Sequence, residues 1–307
     1  MSTLCINMAG WSLRHAGDDE KPNEDVFAMD APRGIAVVAD GVGRPRDRTG
    51  RYPVEIATVA PELAVRVVAE SLANASSFDH PELTIRYAME AANAAIARTN
   101  AVRGITAQAD LEFVDLLGTT ATVLWVTDEH TAAIGYIGDT VALHFPHGGT
   151  PRLVSRDQLV SCHAYTYPLF NELAQQHGWS REETSRQRVI WQRKHARNQK
   201  GARDPSGNPI GFGVLTGEPG ALDFIETATV ACVPGDRFLL ASDALIVLER
   251  PPGTMQTEPY AVIADIAWDP DMATVVRRLL TETRREEQRQ GRRSDDATVV
   301  LAEITTL

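Results

Sequence analysis

The 307-residue sequence predicts an α+β fold in which strands and helices come in blocks. Three observations carry this. Short β-rich runs follow one another between residues 119 and 145. Two segments, 53–73 and 83–99, repeat apolar residues every three or four positions. A helix-prone stretch ending near residue 290 is followed by a last apolar strand. With 43% apolar residues the chain can bury a sizeable core, and no repeat, low-complexity tract or Gly/Ser linker divides it, so one domain over 1–307 is expected.

The elements follow in order. Residues 34–38 form a short, partly β-branched run ending at Ala39-Asp40-Gly41, a buried strand that delivers an acid to a turn. Ile56, Ala60, Leu63, Ala64, Val67, Val68 and Leu72 share one helical face, and 83–99 repeats the pattern with Ala-rich spacing. Strands are expected at 119–126, 132–137 and 141–145, separated by Asp128-Glu129-His130 and Gly138-Asp139 and read as successive antiparallel hairpins. Residues 168–200 are charged and helix-prone, whereas 201–213 is rich in Gly, Pro, Asn and Asp and reads as an irregular surface loop of the kind that faces substrates. Two further strands, 224–233 and 238–242, flank the turn Pro234-Gly235-Asp236. Asp269-Pro270 reads as a helix start, a cap followed by proline at the first position, and the closing strand spans 298–304.

Composition narrows the function. A formal charge of -11 argues against nucleic acid or an anionic membrane surface as partner, although a local basic patch is compatible with it. Cys5, Cys162 and Cys232 lie far apart without a CxxC pair, which argues against a disulfide framework or a structural zinc site and suits idle thiols in a reducing compartment. The first twenty residues lack a signal-peptide pattern, and no apolar run reaches the roughly 20 residues of a membrane span. A soluble, cytoplasmic protein is expected.

The chemistry lies in the acids. Asp40, Asp139, Asp243 and Asp295 each stand at or beside the end of a short apolar strand. Strands that converge in a sheet bring their ends together, and ionised carboxylates crowded there repel strongly unless cations lie between them. Oxygen ligands without clustered Cys or His select a hard cation, Mg²⁺ or Mn²⁺. The eight histidines form no HxH or HExxH and read as structural or solvated. Asp is also a frequent turn residue, and that is the reading of any one of them taken alone.

Read in order, Asn23-Glu24-Asp25, Ala39-Asp40-Gly41-Val42-Gly43, Gly118-Thr119-Thr120-Ala121, Ile137-Gly138-Asp139, Ala241-Ser242-Asp243 and Asp295-Asp296-Ala297-Thr298-Val299-Val300 resemble the ordered motifs of the protein phosphatase 2C family in its bacterial form. The resemblance implies a four-layer α-β-β-α sandwich of two antiparallel sheets flanked by helices, with a metal site in a cleft at one edge. It implies that Asp40 bridges two metals, that Glu24 and the Gly41 carbonyl complete one, that Asp243 and Asp295 complete the other, and that Asp139 serves a weaker third. Asp25 and Asp296 would support these ligands from behind. The activity implied is hydrolysis of phosphoserine and phosphothreonine in proteins by water held between the two divalent ions, with a cognate serine/threonine kinase as a further partner. No CxxxxxR nucleophile loop accompanies any of the cysteines, consistent with a reaction that forms no covalent phosphoenzyme.

The departures concern the phosphate. The position where the family carries a phosphate-gripping arginine is Glu20 here, and Lys21 and Arg14 are the candidates to replace it, although Lys21 reads first as a solvated loop lysine. Arg44, Thr140-Val141, Ala244 and Val247 also depart from the family pattern and bear on the third metal. A flap-like segment is expected at about 155–213, where Ser155-Arg156-Asp157-Gln158 resembles the family's Thr-x-Asp-His, and the basic run Arg193-Lys194-His195-Ala196-Arg197 reads first as a solvated helix face. A catalytically weak, phosphatase-like binding module and a phosphatase of small metabolites are the alternatives.

Overall fold

The computed structural model describes residues 4–16, 21–43, 51–75, 80–106, 114–128, 130–249, 260–292 and 294–306. Glu20 and Arg44 lie outside the described residues. In chain order the elements are β1 (Leu4–Leu13), β2 (Val26–Asp30), β3 (Ile35–Gly41), α1 (Val54–Ala57), α2 (Val59–Ala73), α3 (Pro81–Val102), β4 (Thr119–Asp128), β5 (Thr131–Ile137), β6 (Val141–Phe145) and β7 (Arg152–Leu153). There follow α4 (Val160–His177), α5 (Arg181–His195), β8 (Glu226–Ala231), β9 (Arg237–Ala241), α6 (Ala261–Ala267), α7 (Met272–Arg289) and β10 (Ala297–Thr306).

The strands form two five-stranded sheets, ordered β1-β10-β9-β6-β7 and β2-β3-β4-β5-β8, and the pairings within them are antiparallel. The inner strands are apolar on both faces, with a period of two that sorts each face to a different layer. On β3, Val37 and Ala39 pack with α2 and α3, while Ala36 and Val38 meet the other sheet. On β9, Leu239 and Ala241 pack against α6 and α7, while Phe238 and Leu240 face inward. The result is the four-layer α-β-β-α sandwich.

Four points depart from the sequence reading. β4 and β5 do form a hairpin, but β5 and β6 lie in different sheets, so Gly138-Asp139 crosses the sandwich. Gly138 has φ +89, and a Cβ there would stand 2.3 Å from Thr120 Cγ2, so the crossing needs glycine. The last helix is capped by Asp271, whose side chain accepts the Ala273 N–H at 3.1 Å, and Asp269-Pro270 precedes it. β1 and β2 went unread because both are edge strands with one face open, which breaks the apolar run. The loop 201–213 is irregular, yet Ile210 and Phe212 are buried beside Cys162 and Ala196.

Candidate active site

The strand ends of the sandwich open onto a cavity of about 360 Å³. Asp40, Asp139, Asp243 and Asp295 line it together with Gly41 and Lys21. Each acid is placed by backbone pairing. Asp40 pairs with Thr120 in the β3–β4 register, and the Thr119 hydroxyl donates to the Asp40 carbonyl at 2.7 Å. The Val42 N–H donates to the Gly118 carbonyl at 3.1 Å, so the Gly118-Thr119-Thr120 motif fixes the chain on both sides of Asp40. Asp243 follows β9 and Asp295 precedes β10, and those neighbours are locked by Ser242, whose hydroxyl accepts the Thr298 N–H at 3.0 Å. The Thr298 hydroxyl lies 2.6 Å from that of Ser12, which accepts from the Asn23 amide at 2.6 Å, so one chain of hydrogen bonds ties the turn before β2 to β1 and β10.

Glu24 is 1% exposed and lies against Gly41, where a Cβ would stand 2.8 Å from the Glu24 carbonyl oxygen. Glycine is thus required for the two segments to meet, and the Gly41 N–H donates to that carbonyl at 3.2 Å. Tyr52 donates its hydroxyl to Glu24 Oε1 at 2.6 Å, and Lys21 Nζ lies 3.0 Å from Oε2. Burial raises the Glu24 pKa, with Lys21 and Tyr52 opposing it.

Asp296 lies behind Glu24 and Lys21. It accepts backbone N–H groups from His15 at 2.8 Å and Glu24 at 3.0 Å, and Lys21 Nζ lies 3.3 Å from it. Burial alone would raise its pKa, but Lys21 and these donors hold it below the ordinary carboxylate value. Asp25 is buried with the Ser242 and Thr298 hydroxyls against it, and neither of its oxygens makes a well-directed hydrogen bond. Desolvation lifts its pKa to about 7.

Asp40 and Asp243 are raised well above the ordinary value, first by desolvation and then by the other acids: Asp25, Asp243 and Asp139 act on Asp40, and Asp139, Asp295 and Asp25 act on Asp243. Asp243 is accessible from the cavity yet walled in by protein, so its charge is poorly solvated. Among the described residues no three acidic, histidine or cysteine side chains close on a single point as an ion's ligands. The acids ring the cavity, and the Lys21 ammonium stands 3.0 to 3.7 Å from Glu24, Asp296 and Asp295. The donor set, carboxylates and a backbone carbonyl with no clustered Cys or His, fits hard divalent cations.

The other wall comes from α4 and α5, and the sequence reading missed most of it. His163, Arg188, Gln192, Arg193 and Arg197 line the same cavity. The reading of residues 193–197 as a solvated helix face is overturned for two of them: Arg193 and Arg197 have side chains 8% and 5% exposed, and both pair with Asp115 at 2.9 Å. Arg193 also donates to the Gly43 carbonyl, clamping α5 to the turn after Asp40. Lys194 and His195 are exposed. Arg14 is exposed as well and does not line the cavity.

Gln158, which stands in place of the family's histidine, is a buried tie. Its Oε1 accepts from Gly138 N–H at 3.0 Å and Gly213 N–H at 3.2 Å, and its amide donates to the Phe224 carbonyl at 2.8 Å. A second, small cavity of about 50 Å³ adjoins the first and is lined by Asp139, Asp157 and Asp243. Val247 is buried in the core, so Asp157 is the further acid at this point.

A four-layer sandwich with acids gathered at its strand ends is the architecture of a metal-dependent phosphatase. The model of the family described as Protein phosphatase 2C matches residues 14–288, and the chain belongs to that family. The last motif, from Asp295 on, lies beyond the matched residues. No curated protein sequence matches the chain. Among solved structures it is similar to the catalytic domain of the serine/threonine protein phosphatase PstP in complex with two manganese ions (20% identity, 99% of this chain and 100% of that one, TM-score 0.63). It is similar also to PppA, a regulatory component of a secretion system in Pseudomonas aeruginosa (18%, 98% and 100%, TM-score 0.62). A third is the phosphatase MsPP from Mycobacterium smegmatis (20%, 97% and 98%, TM-score 0.56). Among the described residues no helix is long and apolar enough to cross a membrane.

Proposed function

We propose that this member of the family hydrolyses phosphoserine and phosphothreonine in proteins, using two Mg²⁺ or Mn²⁺ ions held by Glu24, Asp40, the Gly41 carbonyl, Asp243 and Asp295. The observation that carries the assignment is the convergence on one cavity of acids from four separate strand ends, where desolvation and the neighbouring acids raise Asp40 and Asp243 and bound cations would offset the repulsion. When bound, such a pair of ions supplies an acidified water as nucleophile and neutralises charge growing on the phosphoryl oxygens. The protein's own part is to hold the ligands still: Thr119 fixes the Asp40 backbone, Asp296 fixes Glu24, and the Ser242–Thr298 pair fixes the approach to Asp243 and Asp295. Asp139, with Asp157 beside it, is the candidate for a weaker third ion.

The structure of PstP with two manganese ions supports the choice of metal. Cytoplasmic residence is supported by the buried free thiols Cys162 and Cys232, which burial pushes up to about 11 and about 12 and keeps unreactive. A kinase that phosphorylates the same proteins is the expected counterpart. The test is Mn²⁺-dependent turnover of an aryl phosphate and of a phosphothreonine peptide. Chelator, Asp40→Asn or Asp243→Asn should each abolish it, and turnover that survives all three would sink the assignment.

A further inference from the structure

We propose that Arg188, on α5, is the guanidinium that grips the substrate's phosphoryl group, taking over from the arginine that Glu20 replaces. The inference rests on the phosphatase reading above. Four permanently cationic side chains line the cavity: Lys21, Arg188, Arg193 and Arg197. Three are committed to carboxylates. Lys21 faces Glu24, Asp295 and Asp296, and its pKa is raised by those acids against the cost of burial. Arg193 and Arg197 share Asp115.

Arg188 pairs with no carboxylate among the described residues. Its Nε is buried and makes no hydrogen bond, and Nη2 has only a long contact of 3.4 Å to Ser185 Oγ. What holds the group is stacking: Cζ lies 3.8 Å from the centre of the Tyr167 ring, and Tyr167 packs edge-on against His163 at 5.2 Å. A guanidinium oriented by an aromatic face keeps its planar fork of donors unspent. A donor buried without a partner is costly, and is retained where a ligand completes it.

The chemistry of the cavity names that ligand. A phosphate dianion entering it meets Asp40, Asp139, Asp243 and Asp295 on the strand-end wall, and cations bound there offset the repulsion from that side alone. The anion's remaining oxygens face α4 and α5, where Arg188 offers the one uncommitted bidentate donor among the described residues. The arrangement also makes sense of α5: Arg193 in its last turns and Arg197 just past its end hold the helix down through Asp115, so the free guanidinium sits on an anchored support.

The experiment uses the full chain loaded with Mn²⁺ and compares wild type with Arg188→Met, which keeps the aliphatic stem over Tyr167, and Arg188→Lys, which keeps the charge without the fork. Inorganic phosphate affinity is measured by calorimetry, KM and kcat on p-nitrophenyl phosphate by absorbance, and Mn²⁺ affinity and thermal unfolding as controls. R188M is expected to weaken phosphate binding and raise KM by about tenfold or more, with R188K recovering only part and both controls unchanged. Phosphate affinity equal to wild type in R188M would overturn the inference. So would a loss confined to phosphopeptides with acidic flanking residues, or a loss carried by Lys21→Met in its place. A wild type that binds phosphate but turns nothing over would defeat the phosphatase reading, and the phosphate titration would then decide on Arg188 by itself.

Discussion

The two walls of the cavity are built in opposite ways. On the strand-end side every acid is set by main-chain pairing within a few residues of it: Asp40 by the β3–β4 register, Asp243 and Asp295 through Ser242 and Thr298, Asp139 by the glycine turn that crosses the sandwich. On the helical side the arginines are held by side-chain contacts: Arg193 and Arg197 share Asp115, an acid distant in sequence from α5 that lies in no strand or helix, Arg197 also reaches Glu218 at 3.5 Å, and Arg188 stacks on Tyr167. Charge that must be held rigidly near like charge is attached to backbone, whereas charge that meets a ligand is carried on longer side chains steadied from behind.

This contrast can be broken at several points. The largest effect is expected on the strand-end wall. Asp40→Asn should lower turnover by more than the roughly 10–100-fold that loss of an outer supporting group costs a metal site. In metal-free buffer the same change should raise the unfolding midpoint, because it removes one of several mutually repelling carboxylates. A lower midpoint, read by thermal denaturation, would show that the acids are not in electrostatic conflict.

Next is the helical wall. Asp115→Ala leaves two buried guanidinium groups without their shared partner, and urea denaturation should register a loss of about 3–5 kcal/mol. If stability is unchanged, α5 is held by its apolar contacts and not by charge.

Smaller still is the supporting layer. Asp296→Asn should weaken Mn²⁺ binding by about 10–100-fold, since the turn bearing Glu24 loses its anchor, while kcat at saturating Mn²⁺ changes less. Equal losses in both quantities would place Asp296 in contact with the ions or substrate.

The smallest effect lies away from the cavity. His144 is buried against Asp236 at 2.9 Å and stacked on Phe238, and desolvation lowers its pKa, with Arg152 adding to this and Asp236 opposing it. The native state therefore favours the neutral ring. That contribution is complete above the unfolded value near 6.5 and is lost as pH falls through it towards the folded pKa. His144→Gln should flatten the decline in stability between pH 7 and 5, measured by denaturant midpoints at each pH.

Much of the fold was legible because inner strands buried on both faces read as unbroken apolar runs, as at residues 35–39 and 238–241, and because α2 and α3 carry a clear helical stripe. The edge strands β1 and β2 were not, since half-exposed strands mix polar with apolar residues. The acids were legible because each is embedded in a short motif whose other members make the local hydrogen bonds that position it. Tyr52 and Glu287 were not: Tyr52 reaches Glu24 across 28 positions, and Glu287, in the last turn of α7, accepts the Asp295 N–H only because the chain turns back after the helix. Asp115 likewise gave no signal, because a buried acid and an exposed one look alike until their neighbours are known.

The order of the six motifs pointed to the family, and through that resemblance to the four-layer sandwich, while the period of the apolar residues marked single strands and helices and the acids at their ends, because those depend on alternation along one element. Which sheet each strand joined, and which of Arg188, Arg193 and Arg197 lines the cavity without a carboxylate partner among the described residues, was decided only by tertiary packing. A guanidinium's role depends on what lies within a few ångströms of it, and no spacing along the chain records that distance.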